Sequence, residues 1–110
     1  MANAEKYSTR LAVERAAVEP FLQHTRVPEL DTVILDPPRT GATPEALAGI
    51  INWGAPRVIY VSCDPPTLAR DAGKLVQSGY ELAEVSAFDL FPNTPHVETV
   101  ATFSRGRRTP

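Results

Sequence analysis

Three side chains in this sequence are suited to covalent chemistry and proton transfer, those of Asp36, Cys63 and Glu98. Cys63 is the single cysteine of the chain, and a thiolate is both a strong nucleophile and an adequate leaving group. A carboxylate in a partly dry pocket can act as a general base. Each residue also has a simpler interpretation, because a lone cysteine after a strand is usually a small core residue. In the same way, Asp36 could cap a turn and Glu98 could be a solvated charge at a strand edge.

The elements that must position these residues follow an alternating strand-helix order. Residues 31–36 and 57–61 are short apolar runs that stop before proline pairs, which is typical of buried parallel strands. Between them, a helix is predicted to begin at Thr43 as N-cap and to end at Gly54. A second helix is predicted from about residue 66 to 78, and its expected apolar face consists of Leu68, Ala72, Leu75 and Val76. This order predicts an α/β fold built on a parallel sheet.

The C-terminal part departs from that order. Residues 81–88 and 97–103 have the pattern of strands, and the short connection 90–96 leaves no room for a helix between them. A connection this short permits an antiparallel neighbour but not a parallel crossover. We therefore expect parallel strands plus one antiparallel strand, with flanking helices.

The N-terminal residues 4–22 are rich in Ala, Glu, Arg and Leu and are predicted to form a helix whose last turn is bent or ended by Pro20. The chain of 110 residues is long enough for one small domain. We divide it into an N-terminal helix within residues 1–26, an α/β region over 27–104 that carries the motifs, and a tail over 105–110.

Strand direction is expected to bring the three reactive residues together. Ligands of open α/β sheets bind at the carboxyl ends of the parallel strands. Asp36 ends the first predicted strand, Cys63 follows the second, and Glu98 lies at the start of the antiparallel strand. Because an antiparallel strand begins where its parallel neighbours end, we expect all three residues at one end of the sheet.

Three segments, in this order, resemble motifs of the RNA (uracil-5-)-methyltransferase family. Residues 35–39, LDPPR, resemble the fourth motif, and residues 60–71, which include YVSCDP and TLARD, resemble the sixth motif with its nucleophilic cysteine. Residues 91–98, FPNTPHVE, resemble the C-terminal segment that holds the general base. The related RNA cytosine-5-methyltransferases have a cysteine in the fourth motif as well. This chain has none there, which favours uracil.

The resemblance implies the C-terminal half of a Rossmann-like, S-adenosylmethionine-dependent methyltransferase sheet that acts on uracil C5 in rRNA or tRNA. It implies that the Cys63 thiolate adds to C6 of the base and that Glu98 removes the C5 proton after methyl transfer. It assigns Asp36 to cofactor binding and Arg39 and His96 to weaker substrate contacts, with His96 positioning its loop. The target base must be extruded from its RNA context to reach such a pocket.

The composition of the chain bears on its partners and its cellular location. The chain has 11 basic and 13 acidic residues and a formal net charge of -2, so RNA as a partner is inferred from the site and not from charge. A single cysteine excludes an intrachain disulfide, and no Cys/His cluster has the spacing of zinc ligands. We see no signal peptide and no apolar run of membrane length, so we expect a cytoplasmic protein without a membrane or metal partner.

The six glycines of the chain include no G-x-G pair, whereas a Rossmann-like methyltransferase needs a Gly-rich turn for its cofactor. We therefore expect a C-terminal fragment that is inactive in isolation. Two alternatives stay open. One is a folded but inactive piece that forms a homo-oligomer through an unpaired sheet edge at residues 31–36. The other is an amino-methyltransferase, because the D-P-P sequence also occurs in enzymes that methylate adenine nitrogen.

Overall fold

A computed structural model of the protein describes residues 16–25, 29–89 and 97–106. These residues form three helices and one four-stranded sheet. In chain order the elements are α1 (Val18–His24), β1 (Thr32–Leu35), α2 (Pro44–Trp53), β2 (Arg57–Ser62), α3 (Pro65–Gln77), β3 (Glu81–Phe88) and β4 (Glu98–Ser104). The strand order across the sheet is β1-β2-β4-β3.

The directions of the strands agree with the sequence-based prediction. β1 and β2 are parallel, and β4 is antiparallel to both β2 and β3. Three strands therefore run one way and β4 runs the other, which confirms an α/β sheet of parallel strands plus one antiparallel strand. In the described part of the chain β1 is an edge strand, and its Ile34 side chain is 69% exposed. Self-association through that edge stays a prediction.

The core lies between one face of the sheet and the helices. Side chains alternate between the two faces of a strand, and the buried positions of β2 and β4 pair directly across the two strands. These pairs are Val58 with Phe103, Tyr60 with Ala101 and Ser62 with Thr99. Helices α2 and α3 add Leu47, Ile50, Leu68 and Leu75 to the core. A one-residue slip between the strands would turn this buried set towards solvent, so burial fixes the register.

Both predicted ends of α2 are confirmed. The Thr43 hydroxyl accepts a hydrogen bond from the backbone N–H of Ala46 at 3.1 Å, as an N-cap does. Gly54 adopts φ 68°, and its N–H donates to the carbonyls of Ile50 and Ile51. Only glycine enters this left-handed conformation without strain, so the helix ends there.

The predicted apolar face of α3 is correct in part. Leu68 and Leu75 are buried and Ala72 packs partly against the core, but Val76 is 49% exposed. The buried position that sequence reasoning missed is Asp71, which has no exposed surface. Asp71 follows Leu68 by three residues and precedes Leu75 by four, so all three share one side of the helix.

The prediction of one continuous N-terminal helix to about Leu22, bent or ended by Pro20, is wrong at Ala17 and at Pro20. Ala17 has an extended backbone, and α1 begins after it and continues to His24. Pro20 therefore lies in the first turn of a helix, where the missing N–H costs no hydrogen bond, and not at a helix end. Residues 4–15 of the predicted helix lie outside the described residues.

Candidate active site

Asp36, Cys63 and Glu98 lie at the same end of the sheet. The last register pairs are Leu35 with Tyr60 and Ser62 with Thr99. Asp36 is the next residue after β1, Cys63 is the next residue after β2, and Glu98 immediately precedes Thr99 in β4. The chain topology thus brings a thiol and two carboxylates to one place, which we call the site rim.

Cys63 and Glu98 each adjoin the last residue pair of the β2–β4 ladder, Ser62 and Thr99. Continuing the β2–β4 pairing by one residue beyond Ser62–Thr99 sets Cys63 opposite Glu98. Residues directly opposite each other on antiparallel strands have Cα atoms about 4.5–5.5 Å apart. Glu98 is half-buried and also pairs with Phe88 of β3. A thiol and a carboxylate at this separation can act on two neighbouring atoms of one ligand.

The backbone around Cys63 is fixed by the residue on each side of it. The Ser62 hydroxyl accepts from the backbone N–H of Asp64 at 3.0 Å and donates to the Asp64 carbonyl at 3.1 Å. The Asp64 carboxylate accepts from the Thr67 hydroxyl in the first turn of α3. Cys63 is half-buried and free of any disulfide. Residues 62–64, which we call the Cys63 segment, therefore hold the thiol in a defined turn between β2 and α3.

Asp36 opens a loop, residues 36–43, that connects β1 to α2 and that we call the β1 loop. Asp36 and Arg39 are both exposed. A turn closes this loop, because the N–H of Gly41 donates to the carbonyl of Pro38 at 2.8 Å, and Gly41 has φ 85°. Asp36 and Arg39 are thus open to a ligand at the site rim. His96 and the rest of residues 90–96 lie outside the described residues.

A buried ionic contact under the β1 loop is the part of the site that sequence reasoning missed. Asp71 of α3 accepts hydrogen bonds from Ala42 in that loop and from Tyr60 in β2. The sequence offered two signals: Asp71 ends the TLARD part of the sixth motif, and a carboxylate at position 71 lies between two leucines of the apolar face. Its partners are 11 and 29 residues away and only the tertiary structure reveals them.

Two cavities lie at different ends of the sheet. One of about 570 Å³ is bordered by α1, β1, α2 and the β1 loop, and Asp36 lies on its wall. Its lining is mostly apolar, with Phe21, Val33, Leu35, Ile50 and Trp53 among its residues. The other, of about 710 Å³, is lined by residues such as Asp31, Pro56 and Arg105 at the opposite end of the strands. The smaller cavity is therefore the one that adjoins the site rim.

Within residues 16–25, 29–89 and 97–106, no cluster of three or more His, Cys, Asp or Glu side chains could hold a metal ion. In the same described ranges, no helix combines the length and the apolar character needed to cross a membrane.

Comparison with known proteins extends the similarity beyond the three motifs. An RNA methyltransferase of Streptomyces avermitilis, uncharacterized in function, is 45% identical over 92 residues, which cover 84% of this chain and 21% of that protein. A 23S rRNA (uracil(1939)-C(5))-methyltransferase of Acinetobacter baumannii is 51% identical over 75 residues, or 68% of this chain and 16% of that protein. The chain thus spans about a fifth of the length of the curated relatives it matches.

A solved structure has the same fold. The tRNA (uracil-54, C5)-methyltransferase of Pyrococcus abyssi, in complex with S-adenosyl-L-homocysteine, matches with a TM-score of 0.75 and 37% identity. The match covers 93% of this chain and 24% of that one. The described strands and helices therefore correspond to part of the fold of an S-adenosylmethionine-dependent methyltransferase, as predicted. Since residues 4–105 also match the family described as tRNA (Uracil-5-)-methyltransferase, the chain belongs to that family.

Proposed function

We propose that this chain is the C-terminal catalytic part of an enzyme that methylates uracil at C5 in rRNA or tRNA, with Cys63 as nucleophile and Glu98 as general base. The observation that carries the proposal is the register of β2 against β4, which sets Cys63 and Glu98 next to the last paired residues, Ser62 and Thr99. Nucleophilic attack and proton removal occur on neighbouring ring atoms, C6 and C5. They therefore require two reactive side chains at this kind of separation.

The proposed chemistry divides between the two residues. The Sγ of Cys63, as thiolate, forms a bond to C6, and the electrons of the C5–C6 double bond make C5 nucleophilic. S-adenosylmethionine, when bound, would supply the methyl group to C5 by cleavage of its sulfonium S–CH3 bond, which leaves S-adenosyl-L-homocysteine. The carboxylate of Glu98 then accepts the proton from C5, the C5–C6 double bond re-forms, and Sγ leaves as thiolate.

Asp36 fits the remaining role of cofactor contact. S-adenosylmethionine carries hydroxyl and amino donors, and the exposed carboxylate of Asp36 lies at the carboxyl end of β1, where ligands of α/β sheets bind. The structure of the Pyrococcus abyssi relative with S-adenosyl-L-homocysteine is consistent with a cofactor of this chemical class. Arg39 is exposed in the same loop, where a guanidinium can contact RNA phosphate.

The decisive experiment is covalent trapping with RNA that contains 5-fluorouracil in place of uracil. In the full-length protein that contains this chain, the wild type should form a denaturation-resistant RNA–protein adduct at Cys63, because fluorine at C5 cannot be removed as a proton. Cys63→Ser should form none. Glu98→Gln should accumulate the adduct even with ordinary uracil RNA, since the step that releases Cys63 is blocked.

Glu84→Gln on β3 is the matched control for Glu98→Gln, because Glu84 is an exposed carboxylate of the neighbouring strand. It should behave as wild type. If a wild-type protein that methylates RNA forms no adduct at Cys63, the nucleophile assignment is wrong. If the methyl group of the product is then found on an adenine nitrogen, the protein is an amino-methyltransferase.

For the 110-residue chain alone, we propose at most weak binding of S-adenosylmethionine, because it has no Gly-rich turn. Isothermal titration calorimetry of this chain should detect no binding in the micromolar range. Micromolar affinity would contradict the proposal, and methyl transfer by the isolated chain would contradict its inactivity.

A further inference from the structure

Asp71 is a charged side chain without solvent contact. Its Oδ2 accepts from the backbone N–H of Ala42 at 3.1 Å and from the Tyr60 hydroxyl at 2.5 Å. Its Oδ1 accepts from Nε of Arg70 at 3.1 Å, which also forms an ion pair. A buried carboxylate without partners is strongly unfavourable, so these three donors are what stabilise a charge at this position.

The donors to Asp71 come from three segments around the site rim. Ala42 belongs to the β1 loop, Tyr60 lies in β2 three residues before Cys63, and Arg70 is part of α3, which begins two residues after Cys63. Burial raises the pKa of Tyr60, and the hydrogen bond to the carboxylate raises it further. The hydroxyl therefore stays protonated at neutral pH and keeps donating to Asp71.

A second contact links α3 directly to the β1 loop. Nη2 of Arg70 donates to the carbonyl of Thr40 at 2.8 Å, while Nε of the same guanidinium contacts Asp71. Gly41 lies so close to α3 that a Cβ at this position would be 2.5 Å from Nη2 of Arg70 and 2.7 Å from Oδ2 of Asp71. The loop therefore packs against the helix without intervening space.

We propose that Asp71, together with Arg70, is a positioning residue that fixes the β1 loop relative to the Cys63 segment. One carboxylate and one guanidinium connect the loop that presents Asp36 to the strand and the helix on either side of Cys63. The role of this contact in methylation rests on the proposed function, whereas the attachment of the loop can be tested without it.

The attachment is tested by hydrogen exchange on the 110-residue chain. Asp71→Ala removes both carboxylate oxygens and leaves all three donors without their acceptor. The Ala42 amide should exchange about 10- to 100-fold faster, because the variant loses a hydrogen bond to a buried charged group. Glu45→Gln, which neutralises an exposed carboxylate at the start of α2, is the control and should leave Ala42 unchanged. An unchanged Ala42 exchange rate in Asp71→Ala would overturn the proposal.

Arg70 offers a second variant at a more accessible position, since its side chain is 52% exposed. Arg70→Ala removes the bridge to Thr40 and should also accelerate exchange in the β1 loop. Arg70→Lys keeps the charge but cannot donate in the same fork to Asp71 and Thr40, so it should fail to restore protection. If the β1 loop amides of Arg70→Lys exchanged as slowly as in wild type, a positive charge at this position would be sufficient to hold the loop. That result would contradict the positioning role of the guanidinium.

The consequence for the reaction is measured in the full-length protein by the rate of adduct formation with 5-fluorouracil RNA. Arg70→Ala should lower the maximal rate about 10- to 100-fold, since small displacements of positioning groups have effects of this size. The RNA concentration at half-maximal rate should change little. Lower thermal stability with an unchanged rate per folded molecule would mean a purely structural role.

Failure of this inference can be told apart from failure of the proposed function. If the wild type forms no adduct at all, the proposed function fails, and the exchange of the Ala42 amide still decides whether Asp71 holds the loop. If the wild type forms the adduct and Arg70→Ala forms it equally fast, only the positioning role fails.

Discussion

The two segments that end at the site rim are held in place in opposite ways. The Cys63 segment is fixed by its own residues, because the Ser62 hydroxyl bonds to both the N–H and the carbonyl of Asp64. The β1 loop is fixed from outside, by Asp71 and Arg70 of α3. The comparison teaches that Cys63 has locally determined geometry, whereas the β1 loop depends on tertiary packing. Changes at Asp71 and Arg70 of α3 should therefore loosen the β1 loop and leave the Cys63 segment intact, since the α3 residue that bonds to that segment is Thr67.

The largest effect is expected from adding a methyl group where the β1 loop meets α3. Gly41→Ala places a Cβ within 2.7 Å of Asp71 Oδ2 and forces alanine into φ 85°. Left-handed strain and overpacking should together lower the free energy of unfolding by about 3 kcal/mol. Chemical denaturation measures this change.

Gly54→Ala is the matched control for Gly41→Ala. Gly54 also has positive φ, but no atom lies within 4 Å of a Cβ at that position. It should cost only the strain of the left-handed conformation, about 1 kcal/mol. Equal losses in the two variants would mean that the packing of the loop against α3 contributes nothing.

A smaller effect is expected from removing the hydroxyl that holds the Cys63 segment. Ser62→Ala should lower the free energy of unfolding by about 1–2 kcal/mol, since the hydroxyl is buried and makes two hydrogen bonds. It should also slow adduct formation at Cys63 in the full-length protein, while amide exchange in the β1 loop stays as in wild type. Ser78→Ala removes one hydroxyl contact to Lys74 at the far end of α3 and should leave adduct formation unchanged.

The smallest effect on stability at neutral pH is expected for Tyr60→Phe. The variant keeps the buried ring and removes one of three donors to Asp71, so the free energy of unfolding should fall by about 1 kcal/mol. Exchange of the Ala42 amide should rise only slightly, because its own bond to Asp71 is retained. A larger increase in Ala42 exchange than in Asp71→Ala would reverse the proposed order of importance.

The same variant should change how stability depends on alkaline pH. The pKa of Tyr60 is raised in the folded protein above its ordinary value of 10.0, mainly by burial and then by the bond to Asp71. The folded state thus holds the phenol proton more tightly than the unfolded chain does. The contribution of the protonated Tyr60 hydroxyl to the free energy of unfolding is therefore complete below pH 10 and is lost as the pH rises above 10. Above pH 10 the free energy of unfolding should fall by an additional amount that approaches about 1.4 kcal/mol per pH unit, with a single proton involved.

Denaturation curves between pH 9 and pH 11 test this dependence. Tyr60→Phe should lack the additional fall in stability, whereas Tyr80→Phe should retain it. Tyr80 is an equally buried tyrosine whose hydroxyl donates to the carbonyl of Ala55 instead of a carboxylate. Identical pH dependence in wild type and Tyr60→Phe would contradict the assigned shift.

The sequence alone correctly predicted the parts of the fold that depend on residues close together in the chain. The strands β1 and β2 are apolar runs bounded by prolines, and the N-cap Thr43 and the C-cap Gly54 have residue types that favour their positions. Strand direction followed from the length of the connections, and strand direction is what brings Cys63 and Glu98 to one end of the sheet.

The parts that sequence reasoning missed depend on contacts between distant residues. A carboxylate on a helix is expected to face solvent, and only its donors in the β1 loop and β2 make Asp71 favourable in the core. Proline at position 20 is compatible with either end of a helix, so local pattern alone did not assign α1. The proposed catalytic roles of Cys63 and Glu98 rest on the resemblance of the motifs, because burial and spacing do not distinguish a nucleophile from a core cysteine.

The alternating burial of β4 limits which changes of chain length the protein can accept. Thr99, Ala101 and Phe103 face the core, whereas the residues between them face the other side. Deleting one residue of β4 would reverse this alternation and also move Glu98 out of step with Cys63. Insertions and deletions within β4 should therefore be rare among functional relatives, because one such event would damage folding and chemistry together.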